Sequence, residues 1–426
     1  MATIRPFKGL RYSAVAGPLS DLVAPPYDVL SAEERNAFAA KSPHNIVHLT
    51  LPEQHEDDRS KYVKYTRSAS RLEAMRREGV LEAETKPAFY RYTQTFTIPG
   101  ESQTFKRIAL IAAIKVEPYE KGIVLPHEQT FPKHKEDRLR ILEATRAHLE
   151  CIYGLFEDDG GSIFQTIADA PSEVVESVTT DDGVHHLVER IDDPSSTSAI
   201  SEALGPKKVW IADGHHRYET ACTFRAALGE RDHEVAEDFM MMALSSIADP
   251  GLVLLPTHRI LNQLPEGSLE LLRSARNFEV TEAPNSDLMA RIAAIDTAGG
   301  RAIAVALPGG SGLIMKVTDL EALLAAAGGD ESYDLRSLDV TLLHRVILEG
   351  LLGIKGLDHI AYTRDAQEAV DAVEAGAKAS FLMNPPTVDD MRRIALAGEK
   401  MPQKSTYYYP KILSGLALWS LNDYEA

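Results

Sequence analysis

The feature that most constrains this chain is a strand that ends in a polar, glycine-centred turn and passes at once into a helix. Lys207-Lys208-Val209-Trp210-Ile211-Ala212 reads as a buried strand, and a helix runs on to about Leu228. Between them stands Asp213-Gly214-His215-His216-Arg217. Asp, Gly and two His at a strand end are poor choices for packing. Gly permits a positive φ and a close approach of backbone to a ligand. The helix that follows directs free N–H groups and a partial positive charge at whatever sits before its first turn. Arg217 offers a two-pronged fork to a phosphate or carboxylate. His215 and His216 can donate to phosphate oxygens or ligate a metal. A plainer description also fits: a polar turn capped by Asp213, with solvated histidines.

Two further segments carry related chemistry. His127-Glu128-Gln129-Thr130 is followed by Lys133, Lys135 and Arg138. Glu128 is a candidate general base for a hydroxyl, and Lys133 and Arg138 can hold anionic oxygens. The alternative is a solvated loop opening a charged helix. His127 and His134 lack the His-Glu-x-x-His spacing of a zinc site. Near the end, Gly398-Glu399-Lys400-Met401-Pro402-Gln403-Lys404-Ser405-Thr406 approaches the phosphate-loop pattern. Gln403 stands where its second Gly belongs, and a helix rather than a strand precedes it, so no true Walker loop is expected. Lys404, Ser405, Thr406 and Lys411 are candidates for lining an anion pocket, or else belong to an ordered loop that packs its tyrosines. Weaker marks are Pro25-Pro26-Tyr27-Asp28, Asn45 with His48, and Thr257-His258-Arg259. They sit at element ends, where sites gather, and are expected to be structural. Gly309-Gly310-Ser311-Gly312, between Ala302–Leu307 and Leu313–Val317, is expected to be a hairpin turn.

Composition narrows the class. The charge is 45 − 63 = −18, with 44% hydrophobic and 25% charged residues over 426. That balance suits a globular protein of two or three domains and disfavours non-specific nucleic-acid or anionic-membrane binding. Two cysteines, Cys151 and Cys222, make no disulfide framework. No apolar leader or membrane-length run is visible, so a cytoplasmic protein is expected. Ser31 with Glu34 predicts a helix from Ala32. Helices are also expected over about Arg59–Glu78 and Lys135–Leu149, and strands over Phe89–Phe96, Arg107–Val116, Ile152–Phe156, Phe239–Ile247 and Leu252–Arg259. The expected class is α/β or α+β. The expected division is an N-terminal region 1–104, a core 105–237 and a C-terminal α/β domain 238–426.

The Asp213–Arg217 turn resembles the phosphate-binding turn of the ParB/sulfiredoxin superfamily, nearest its ADP-dependent free-serine kinase (SerK-like) branch. The wider set of Pro25–Val29, His127–Thr130, Ala212–Tyr218, Leu255–Arg259 and Met401–Tyr407 is similar to domain-of-unknown-function family 1015. Those pieces span nearly the whole chain. The turn resemblance implies a ParB-like mixed core with an insertion near 157–205. It implies a nucleotide, ADP or ATP, with Mg²⁺, and a small hydroxy amino acid (serine or phosphoserine) as partner substrate. Glu128, Asp213 and His216 would then be catalytic. Gly214, His215, Arg217, Lys133, Arg138, Lys404, Ser405 and Thr406 would bind phosphate or nucleotide. The implied reaction is phosphoryl transfer, as a kinase or in the phosphatase direction. A nucleotide-gated regulatory binder without catalysis is the alternative, and a zinc site at His215 and His216 lacks a third ligand. A homo-oligomer is compatible with either.

Overall fold

The computed structural model describes residues 2–99, 101–128, 132–356, 359–402 and 404–424, with 132–134 described in backbone only. The chain divides into two units. The first comprises Met1–Pro126, Thr130–Leu252 and Pro410–Ala426, and the second His127–Gln129 and Val253–Tyr409. The protein is of mixed α/β class.

The first unit is built on a sheet of nine strands among the described residues. They are β1 (Ile4–Arg5), β2 (Phe89–Thr97), β3 (Thr104–Lys115), β4 (Val124–Leu125), β5 (Ile152–Phe156), β6 (Glu173–Thr179), β7 (His185–Ile191), β8 (Val209–Asp213) and β9 (Phe239–Ser246). Their spatial order is β4-β8-β5-β9-β3-β2-β7-β6, with β1 against β3. β5 and β9 are buried along their whole length, which is why both read as unbroken apolar runs. The expected boundary at 104 runs through a continuous ladder, because β2 pairs with β3 from Tyr90↔Ile111 to Thr97↔Thr104. The boundary at 237 also fails, because β9 lies between β3 and β5. The segment 157–205 adds β6 and β7 beyond β2, and its helices Ser162–Asp169 and Pro194–Leu204 pack Ile163, Ile167, Ile200 and Leu204 into the core.

Helix α1 (Ala32–Lys41) starts as expected: Ser31 Oγ accepts from the Glu34 N–H, and Glu34 accepts from the Ser31 N–H. Helix α2 covers Val63–Arg77 and α3 covers Pro132–Thr145. α3 ends short of Leu149, because Arg146 turns left-handed (φ 51°) and Ala147-His148 pair with Trp419-Ser420. Helix α4 (His215–Ala227) leaves β8 through Gly214 and packs against α3.

The second unit holds an antiparallel sheet of six strands among the described residues. The unit's strands are β10 (Val253–Leu255), β11 (His258–Leu261), β12 (Phe278–Pro284), β13 (Ala302–Ala306), β14 (Ser311–Val317), β15 (Ile360–Thr363), β16 (Ala379–Leu382) and β17 (Tyr407–Tyr409). The sheet order is β12-β14-β13-β16-β11-β15, and β10 pairs separately with β17. The single strand expected over Leu252–Arg259 breaks at Pro256, which has no N–H to give a ladder. β13 and β14 form the expected hairpin. Residues Leu342–Leu351 wind as a π-helix. Among the described residues no helix is long and apolar enough to cross a membrane.

Candidate functional site

The β8–α4 turn is shaped by Gly214, at φ 92° and ψ 28°. A Cβ built there would lie 3.0 Å from Arg217 Nη2, so the turn demands glycine twice over. No side chain caps α4. Asp213 does not serve as the cap, because its Oδ2 accepts from Lys411 Nζ at 2.8 Å. Burial works against the Asp213 charge, but Lys411 and Arg217 outweigh it and hold the carboxyl below the usual range. The first-turn amide donors of α4 therefore have no side-chain acceptor from their own cap position.

Arg217 is the side chain that this turn positions most tightly. Its Nη1 donates to the Cys151 carbonyl at 2.6 Å, while its Nε is buried and has no partner among the described residues. Burial disfavours the guanidinium charge, yet Glu150, Asp28 and Asp213 outweigh burial and raise its pKa. His215 is buried and His216 half-buried beside it.

Tyr27 joins this cluster from far upstream. Its N–H donates to Glu150 Oε1 at 3.0 Å, and its ring lies under two guanidiniums, with Arg138 Cζ 3.9 Å and Arg217 Cζ 5.8 Å from the centroid. Arg138 is buried, donates to the Thr50 carbonyl at 2.8 Å and stands 3.8 Å from Glu150 Oε2. Arg138, Glu150, Arg217 and Thr220 border a cavity of about 50 Å³. Thus Arg138 and the Pro25–Asp28 segment meet the turn, although that segment was expected to be structural. Lys411, expected among residues lining an anion pocket, pairs here with Asp213. Glu150 carried no signal, since it is an isolated charge far from the turn. The Lys133 side chain lies outside the described residues.

The other expected residues gather in the second unit. Glu128 Oε1 lies 3.4 Å from the Thr406 N–H and 3.2 Å from Thr406 Oγ1. Thr406 Oγ1 is in turn 2.9 Å from Nε2 of His127, which is fully buried. Ser405 Oγ donates to the Pro402 carbonyl at 2.5 Å. Lys404 has an exposed side chain and a left-handed backbone (φ 57°), and its carbonyl accepts from Arg259 Nη2 at 3.1 Å. Gln129, Thr130 and Gln403 lie outside the described residues. Asn45 and His48 brace backbone: Asn45 Nδ2 donates to Asp21 and Val23 carbonyls, and His48 Nε2 lies 3.2 Å from those of Ala39 and Ser42.

Asp213 does not suit Mg²⁺. Its carboxylate is held by Lys411 and flanked by Arg217 and His215, a cationic setting unlike the oxygen shell of a hard cation. Among the described residues no three His, Cys, Asp or Glu side chains gather as a metal site.

No curated protein matches the chain. Among solved structures it is similar to a free serine kinase variant in complex with ADP, at 13% identity, 70% of this chain, 87% of that chain and TM-score 0.36. It is similar also to a conserved hypothetical protein from Pyrococcus furiosus, at 14% identity, 74% of this chain, 96% of that chain and TM-score 0.36. SbnI from Staphylococcus aureus, with a C-terminal truncation, is similar at 11% identity, 74% of this chain, 90% of that chain and TM-score 0.36. Residues 4–341 match the family model described as "Protein of unknown function (DUF1015)", and the chain belongs to that family.

Proposed function

We propose that the β8–α4 turn binds the phosphates of a nucleotide, and that the protein transfers a phosphoryl group between that nucleotide and the hydroxyl of a small amino acid, serine or phosphoserine. The observation that carries this reading is Arg217: a half-buried arginine whose Nε is buried and unpartnered, beside a left-handed Gly214, at the uncapped start of a helix. A buried donor without an acceptor is costly, and an anion at the turn removes that cost. The α4 amides, His215, His216 and Arg217 then share the phosphate oxygens. Asp213 holds Lys411 at the same end of the strand.

In the forward direction the serine oxygen attacks the terminal phosphorus, the bond from that phosphorus to the nucleotide oxygen breaks, and the hydroxyl proton passes to a general base. The products are phosphoserine and a nucleotide shorter by one phosphate. Run in reverse, or with water as acceptor, the same groups dephosphorylate phosphoserine. Positioning and charge neutralisation dominate such transfers, and the cationic turn suits that task.

Phosphorus NMR tests the proposal, with the purified chain, Mg²⁺, and serine plus ADP or ATP, then phosphoserine with AMP or water. A phosphoserine signal should appear or disappear, and Glu128→Gln should abolish turnover while nucleotide still raises the melting temperature. Retained turnover in that variant removes Glu128 from the chemistry. No transfer in any mixture, with a nucleotide still stabilising the protein, leaves a nucleotide-gated binder instead.

A further inference from the structure

The second unit contains a buried cation with no contact ion pair among the described residues, the Glu128 carboxylate acting on it only at longer range. Arg259 lies in β11 and is 1% exposed. Its Nε donates to His344 Nε2 at 3.3 Å, Nη1 to the Thr257 carbonyl and Nη2 to the Lys404 carbonyl. All three partners are neutral acceptors, and no carboxylate lies within ion-pair distance among the described residues. A guanidinium has five N–H donors. Two therefore remain, one on each terminal nitrogen, the arrangement that accepts a carboxylate in two parallel hydrogen bonds. Burial lowers the Arg259 pKa to about 10, and the longer-range pull of Tyr362 and Glu128 does not make up for it.

Arg259 borders a cavity of about 370 Å³ inside this unit, at the lower end of the range for small-molecule pockets. Arg301, Asp339, Asp390, Arg393 and Ser405 share its wall. Arg393 is neutralised there by Asp390 at 2.7 Å. Asp339 Oδ1 takes one hydrogen bond from Arg301 Nη1 at 3.1 Å, and its Oδ2 has no hydrogen-bond partner among the described residues. Burial pushes the Asp339 carboxyl up to about 6 despite Arg301. One wall thus offers a bidentate cation short of an anion, and another a carboxylate oxygen short of a donor. The Lys404 carbonyl that fixes Arg259 comes from a residue in left-handed backbone, a conformation that surrounding structure must enforce.

We propose that this cavity binds a small α-amino acid, with its carboxylate on Arg259 and its ammonium on Asp339. A zwitterion satisfies both groups without adding net charge to the site. No residue of the Asp213–Arg217 turn borders the cavity, so the proposal stands whether or not that turn holds a nucleotide.

The test is a thermal-shift and calorimetric titration of the full chain, without nucleotide, with each of the proteinogenic L-amino acids. The best binder is then compared with its analogue lacking the amino group, its analogue lacking the carboxylate, and inorganic phosphate. At least one amino acid should raise the melting temperature, and both analogues and phosphate should fall short of it. Arg259→Lys keeps the charge but loses the fork, and should weaken binding by about tenfold or more. Asp339→Asn should weaken it through the ammonium, and provides a second variant should Arg259→Lys unfold. The idea is overturned if no amino acid stabilises the chain, if phosphate or the deaminated analogue binds equally well, or if both variants bind like the parent. These readouts need no turnover, so they separate this site from the phosphoryl-transfer proposal.

Discussion

Arg217 and Arg259 each follow a histidine, and each is drawn out of solvent, yet the two units treat them in opposite ways. In the first unit Glu150, Asp28 and Asp213 surround Arg217 and raise its pKa. In the second, Arg259 meets carbonyls and an imidazole, and its pKa falls to about 10. The carboxylates repeat the contrast: Asp213 is held below its usual value and Asp339 is pushed up to about 6. Local charge is therefore closer to balanced around Arg217, where what stands open is a directional donor. Around Arg259 the only carboxylate influence is the longer-range one of Glu128, and the place for a contact ion pair stands open. Ligands that complete these two places differ accordingly: one inserts acceptor oxygens, and the other supplies an anion.

Removing each arginine should expose the difference most strongly. Arg217→Met removes the cation that Glu150, Asp28 and Asp213 share and should cost about 2–3 kcal/mol in urea unfolding. Arg259→Met removes a buried charge that has no contact ion pair, along with its hydrogen bonds, and should cost about 1 kcal/mol or less. A reversed order would break the comparison. Acidity gives the next largest effect. The folded state favours protonated Asp339, so its contribution is complete below 3.8 and is lost as pH rises through about 6. Asp339→Asn should therefore gain on the parent as pH rises between those limits, by about 3 kcal/mol in all, read from unfolding curves at several pH values. A pH-independent difference would remove the buried-acid account. Gly214→Ala should cost about 1–2 kcal/mol from its positive φ and crowd Arg217, weakening nucleotide binding with little effect on the second unit. Smallest, the His344 imidazole is lowered to about 4, first by burial and then by Arg259. Arg259→Met should raise it by a fraction of a pH unit in a proton NMR titration, and no movement would separate the two groups.

Much of the architecture was legible where a local signal matched its surroundings. The Ser31–Glu34 cap, the β13–β14 hairpin and the β8–turn–α4 sequence depend on residues a few positions apart. Domain boundaries were not legible, because they depend on which strands pair across long separations. Nothing near residue 104 announces that β2 and β3 share a ladder. The candidate site shows the same divide. Gly214 and Arg217 stand out in the sequence, because glycine and a charged fork at a strand end have few packing uses. Glu150, Lys411 and Tyr27 reach the cluster only through the fold. Arg259 was visible as a residue, but its lack of a contact ion pair is a property of three-dimensional surroundings.

The first unit is assembled from stretches on both sides of the second, and this orders events during synthesis. Gln94 Nε2 donates to the Lys411 carbonyl, the Leu413 N–H to Tyr92 Oη, and Trp419 pairs with His148. Asp213 obtains its ammonium partner from the same late segment. On the ribosome, the sheet must wait with these groups unpaired while residues 253–409 are made, and those residues have all their own strands before the wait ends. A released chain truncated after residue 409 should then have its later-made unit as the protease-resistant one.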